Sequence, residues 1–325
     1  MIRSTRRRAV LGLLGACLAL AGNAWGQTPK VVKFIVGFPA GGGTDAIARL
    51  LAERMKDELG ASIVVENKPG AGGQIAAQAL KAAAPDGATY FISHDHTISI
   101  LPLVMKNPGF EPARDFVPVA GFATFVNAFA VSPGTPAKTL PEYAAWIQSS
   151  GQGKGVVGVP APASTPEFLV KLLGERYKLD LVPAPYRGSA PMLADMLGNQ
   201  IASGIGSVPD FIENHKAGRV RVVAVAGATR QPTLPEVPTL AELGIAGFED
   251  PPYYGFFAPA GTPRAQLDAF ARALSNAVKL PEVRERLTAL GLAVEFMPGE
   301  QLATRERAYA RSWAEIIRKS GFAPQ

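Results

Sequence analysis

Apolar positions along the chain alternate between two periods. Short runs such as "VVKFIV" (31–36), "SIVVEN" (62–67), "TYFISH" (89–94), "NAFAVS" (127–132), "KGVVGV" (154–159), "DLVPAPY" (180–186), "IASGIG" (201–206) and "RVRVVAVA" (219–226) read as strands. Between them apolar residues recur at helical spacing: Ile47, Leu50, Leu51, Met55 and Leu59 in one segment, Leu169, Leu172, Leu173 and Tyr177 in another. "QIAAQALKAAA", "APMLADML" and "PDFIENHK" read as further helices. The tail reads as mostly helical, with stripes at Leu267, Phe270, Leu274 and Val278 and at Leu302, Tyr309, Trp313 and Ile316. Strand and helix in alternation define an α/β architecture.

Two stretches read as crossings between lobes, "GFATFVNAFAVSPGTP" and "GFEDPPYYGFFAPAGTP". They divide the chain into a discontinuous first α/β lobe, residues 27–125 plus 251–325, and a second lobe, 126–250. Two crossings make a hinge, and a cleft between lobes is where a ligand binds.

The first residues do not belong to this pattern. Arg3, Arg6, Arg7 and Arg8 precede an apolar run from Ala9 to Ala21, and Ala24-Trp25-Gly26 follows. That is the layout of an export signal over residues 1–26, with cleavage expected after Gly26. "RRAVLG" resembles a twin-arginine signal, so the Sec and twin-arginine routes both stay open; "LGAC" at Cys17 is a weaker lipoprotein-like feature. The net charge of +6 includes four leader arginines, so the mature chain is near +2. No basic block remains for nucleic acid. The single cysteine leaves with the leader, which excludes a disulfide or a thiolate nucleophile.

Candidate chemistry gathers where strands run into helices. "FPAGGGTD", Phe38 to Asp45, lies between a strand and a helix. It lacks the lysine of a phosphate-binding P-loop. Gly41-x-Gly43-x-x-Ala46, with Glu66 twenty residues further on, fits a dinucleotide fingerprint and supports one alternative, an exported dinucleotide-dependent enzyme. Against it, Phe38-Pro39-Ala40 separates the strand from the glycines and Asp45 would face a pyrophosphate. The other reading is a seat for a small anion on bare helix N–H groups, with Thr44 as cap or hydroxyl donor. "GAGGQ" (70–74), "ASTPEF" (163–168) and "YRGSAP" (186–191) open helices in the same way. "SHDHT" places His94 and His96 at a strand end, where a polar role in the cleft competes with an ordinary strand-end histidine. No third ligand stands near them, so no metal is expected.

"FPAGGGTDAIAR", "VVENKPGAGG", "PDGATY", "PYRGSAPMLADMLGNQI" and "LPEVPTLAELGIAGFE…GFFAPAGTP" together resemble the Bug-type solute-binding receptors of tripartite tricarboxylate transporters, in order over nearly the whole mature chain. The resemblance implies a two-lobed periplasmic binding protein of Venus-flytrap type, monomeric, without catalysis or cofactor. It implies a small carboxylate, or a related amide or aromatic acid, as ligand and a two-component membrane permease as partner. Carried over by motif, the ligand-binding residues are Phe38, Ala40, Gly41, Gly42, Gly43, Thr44 and Asp45 in the first lobe, with His94 added from its strand end. In the second lobe they are Ser164, Thr165, Tyr186, Gly188 and Ser189, with Asp195 orienting a loop or a water. The family's second-lobe loop is often glycine-rich with a histidine soon after. Here it reads "VPAPASTPEF", where prolines remove N–H donors and Glu167 adds an acid near the expected anion seat.

Overall fold

The computed structural model of the protein describes residues 31–324; the leader predicted over residues 1–26 lies outside them. A six-stranded sheet takes its strands from both ends of that range: β1 (Val31–Val36), β2 (Ser62–Asn67), β3 (Thr89–His94), β4 (Phe116–Thr124), β10 (Tyr253–Pro259) and β11 (Ala293–Pro298). A five-stranded sheet holds β5 (Asn127–Val131), β6 (Lys154–Val159), β7 (Asp180–Pro185), β8 (Ser203–Ser207) and β9 (Arg221–Val225). The orders are β11-β4-β10-β3-β1-β2 and β7-β6-β8-β5-β9. We call each sheet with its helices a lobe.

The same β-α-β-α-β unit builds both lobes. In the first, β1 leads through α1 (Gly43–Leu59) to β2 on one side, then through α2 (Gln74–Lys81) to β3 on the other. In the second, β6 leads through α4 (Thr165–Tyr177) to β7, then through α5 (Ser189–Leu197) to β8; α3 (Leu140–Ser150) precedes this unit. Strand order therefore reverses at β1 and at β6. The crevice beyond the carboxyl end of such a strand is where open α/β sheets place ligands. Each unit is completed by an antiparallel neighbour, β10 on β3 and β5 on β8. Further helices are α6 (Val208–Lys216), α7 (Arg264–Lys279), α8 (Pro281–Ala289) and α9 (Gly299–Ser320), besides two single-turn helices at Leu101–Val104 and Pro112–Asp115.

Burial follows the sequence pattern. Phe34, Phe256 and Phe270 meet as rings under the six-stranded sheet, with Tyr90 stacked on Phe270 at 3.8 Å. The five-stranded sheet packs Phe129, Tyr143, Val157, Leu173 and Phe211 on its helices. The crossing segments bond to one another where Phe125 N–H donates to Pro252 O at 3.1 Å, and Gly227 N–H, just past β9, donates to Phe248 O at 3.0 Å. A third connection is apolar. Trp313 of α9 packs on Phe168 of α4 with ring centres 5.4 Å apart, so the tail helix lies against both lobes.

The tail is mostly helical, and both of its stripes lie on helices, but two strands were not expected from the pattern. "AVEFMP" forms β11, and β4 runs through Pro118 and Gly121 with breaks in register against β10 and β11. Neither segment alternates cleanly enough to read as a strand.

Candidate functional site

The loop after β1 and the loop after β6 face each other across a cavity between the lobes. The cavity encloses about 560 Å³ of space not filled by atoms, its mouth included. Phe38, Gly42, Thr44, His94, Asp95, His96, Phe125 and Tyr254 line it from the first lobe. Asn127, Pro160, Ala161, Ser164, Thr165, Pro166, Ser189, Ser207 and Asp210 line it from the second.

On the first-lobe side the glycine loop is held by carboxylates. Gly41 N–H donates to Asp45 Oδ2 at 3.0 Å, and Asp45 also accepts from Arg49 Nε at 3.0 Å and Asn67 Nδ2 at 2.9 Å. Burial alone would raise the Asp45 carboxyl; Arg49, the Gly41 amide and Asn67 outweigh it and hold it below its ordinary value. Gly43 N–H donates across the cleft to Asp210 Oδ1 at 3.1 Å. The seat for an anion at the start of α1 therefore holds an anion of the chain itself. Asp210 is saturated: Ser189 Oγ (2.6 Å), Ser207 N–H (2.9 Å) and Ser207 Oγ (2.6 Å) donate to it as well. The Ser207 and Asp210 bonds form the capping box of α6.

Glycine at 42 and 43 follows from this closeness. A Cβ on Gly42 would stand 3.0 Å from Ser189 Oγ, and one on Gly43 3.0 Å from both Asp210 Oδ1 and Pro209 Cβ. Gly188 mirrors them: at φ +113° its missing Cβ would overlap Pro39 Cδ at 2.4 Å. The bare backbones let the lobes meet.

The second-lobe side is less filled. Ser164 is the N-cap residue of α4, but its hydroxyl turns back to Ala161 O at 2.6 Å. Thr165 Oγ1 is buried in the cavity wall with no hydrogen-bond partner, and so are both ring nitrogens of His96. Burial, with a smaller push from His94, lowers the His96 imidazole to about 4, so it is neutral at pH 7. Three rings close the first-lobe wall. Phe38 stacks on His94 at 5.0 Å, and Phe125 and Tyr254 stand edge-on to it. Thr44 Oγ1 bonds Tyr254 Oη at 3.2 Å rather than capping α1, whose N-cap is Gly42.

The residues expected from sequence divide into two sets. Phe38, Gly42, Thr44, His94, Ser164, Thr165 and Ser189 line the cavity. Ala40 and Gly41 are exposed, Gly43 and Gly188 sit in the contact between lobes, and Asp45 braces the loop from behind. Tyr186 donates to Asp195 Oδ2 at 2.7 Å, a pair beside the cavity rather than in its wall; burial, then Asp195, pushes the Tyr186 hydroxyl to about 12. Glu167 turns away and accepts Ala163 N–H at 2.7 Å, so it adds no charge to the wall. The "GAGGQ" helix start is covered, with Gly72 under His96 and Gly73 under Thr97. His96 lies past the end of β3, in a wide helical turn (His96–Ile100), so the two histidines do not share a strand face. Among the described residues no group of His, Cys, Asp or Glu is placed to hold a metal. Glu66, near the carboxyl end of the edge strand β2, is bound to Lys68 at 2.6 Å.

Sequence reasoning missed Asp95, Phe125, Asn127, Ser207, Asp210 and Tyr254. "SVPD" (207–210) carries a helix-start signal, Ser followed three residues later by an acid, which locates a cap without saying that it faces the other lobe.

Two α/β lobes that meet over a small cavity, each bringing a helix start to it, define a periplasmic solute-binding protein. The chain belongs to the family described as tripartite tricarboxylate transporter family receptor, whose profile matches residues 47–322. It is similar to the protein BugT of Bordetella pertussis, 29% identical over 320 residues that cover 98% of each chain. Among solved structures it is similar to the periplasmic binding protein BugD, with 32% identity and a TM-score of 0.85 over 91% of this chain and 99% of that one. It is also similar to MatC of Rhodopseudomonas palustris with bound malate, with 30% identity and a TM-score of 0.80 over 88% and 98% of the two chains. The family is one of receptors, not enzymes, and the dinucleotide reading falls with that membership.

Proposed function

We propose that this receptor captures one small solute between its lobes and delivers it, as a monomer, to a two-component membrane permease. The carrying observation is the cavity itself, walled by both lobes and holding buried polar groups without partners at Thr165 and His96. Such groups are unfavourable unless a ligand or water completes them. Malate in MatC supports a carboxylate end on the solute, and the free start of α4 is where that end fits best. The lobes are proposed to divide at 125/126 and 250/251 and to open about those crossings. Export through the leader, with cleavage after Gly26, completes the reading.

The test is a thermal-shift assay on the mature protein with a library of small carboxylates, amides and aromatic acids. A bound solute raises the melting temperature because it binds only the folded state. Gly42→Asp, which forces a side chain toward Ser189 and a charge into the wall, is expected to abolish the shift; an unchanged shift refutes the site.

A further inference from the structure

The cavity's charges narrow the solute further. Among the described residues its wall contains two carboxylates, Asp95 and Asp210, and no lysine or arginine. Asp210 already accepts Gly43 N–H at the start of α1, whereas Ser164, the N-cap of α4, makes no side-chain cap bond, which favours the start of α4 as the seat for a solute anion. Asp95, 3% exposed, lies 3.3 Å from His94 Nδ1. The same side presents the rings of Phe38, Phe125 and Tyr254. Aromatic rings beside carboxylates, with no lysine or arginine among them, suit a positively charged nitrogen.

Resting on the receptor reading above, we propose that the solute is a zwitterion: one carboxylate at Thr165 and the start of α4, and an ammonium group, primary or quaternary, between the aromatic rings and the Asp95 and Asp210 side. A dicarboxylate would bring its second charge against Asp210 with no cation to offset it. The unpartnered Thr165 hydroxyl, 5% exposed and set in the cavity wall, marks the carboxylate end independently of the acids.

The experiment is isothermal titration of the mature wild-type protein with zwitterions (glycine betaine, proline, carnitine) and with dianions of similar size (malate, succinate, adipate). The expected result is that at least one zwitterion binds about tenfold or more tighter than every dianion. Asp210→Asn, with its fold checked by circular dichroism, should then lose most of that preference. A dianion that outbinds all the zwitterions overturns the charge inference and leaves the receptor standing. No heat from either class at millimolar concentration overturns this inference and counts against solute capture as well.

Discussion

The loop after β1 and the loop after β6 hold equivalent places in their sheets, yet they do opposite things. Both leave a parallel strand where the order reverses, and both enter a helix whose first N–H groups face the cleft. The first is partly satisfied by the chain itself, since Asp45 takes Gly41 N–H and Asp210 takes Gly43 N–H. The second is incomplete: its acid, Glu167, is turned outward onto Ala163, and Thr165 Oγ1 has no partner. The glycine-rich loop, the more conspicuous of the two in sequence, is thus a docking surface for the other lobe. The proline-rich loop is the one with work left for a solute. Changes in the first should act on stability and closure, and changes in the second on affinity.

The largest effect is expected from Asp210→Ala. It removes the acceptor of four donors at once, including the one that bridges the lobes. Leaving such groups unpaired costs about 3 kcal/mol, with the lost cap part of it. Urea unfolding without solute should show the loss; a variant as stable as wild type would mean that the lobes do not depend on this contact.

The place after β3 that corresponds to the start of α6 holds a buried histidine, His96, beside its carboxylate Asp95, and the difference is readable by pH. Burial holds His96 at about 4, against 6.5 when unfolded, so the unfolded chain takes the proton first and stability falls as pH drops from 6.5 toward 4. Glu306 on α9 runs the other way: burial raises it to about 7 from 4.5, so the unfolded chain releases its proton first and stability falls as pH rises through that window. Each slope amounts to about 3 kcal/mol at most. Their contributions oppose each other between pH 4.5 and 6.5. Glu306→Gln should expose the acid-side loss and His96→Gln the rise in stability toward acid, both by calorimetry across that range. Identical profiles in the two variants would refute the pair.

Much of this fold was legible along the chain because its elements are local. "VVKFIV", "KGVVGV" and the helix after each carry their periodicity within a dozen residues, and β1, β6, α1 and α4 lie where it puts them. β4 and β11 were not legible, since Pro118, Gly121 and Pro298 interrupt them and partner strands alone define them. The site was half legible. Turn chemistry marked Gly42, Thr44, Ser164, Thr165 and Ser189. Nothing local marks Asn127 or Tyr254, which reach the cavity through strand pairing, or Asp210, whose contact with Gly43 spans 167 residues.

Thr165→Val sharpens the contrast at the second loop. It removes a buried hydroxyl that has no partner, so stability should be unchanged or slightly higher, while affinity for the bound solute drops by about tenfold, or 1.4 kcal/mol. Titration and unfolding on one preparation separate the two. Equal affinity would move the solute's polar end away from α4.

Glu167→Gln is the smallest and most selective change. The amide oxygen still accepts Ala163 N–H, so the turn keeps its geometry and loses only the charge at the start of α4. That charge is worth about 0.3–1 kcal/mol to a helix end. Because Glu167 faces away from the cavity, its charge should not be felt by the solute as a close neighbour, and affinity should stay within a factor of about two. Were affinity instead to rise tenfold, Glu167 would belong to the solute's own electrostatic surroundings. The two loops would then differ in how strongly each carries a negative charge, not in whether the chain has already supplied one.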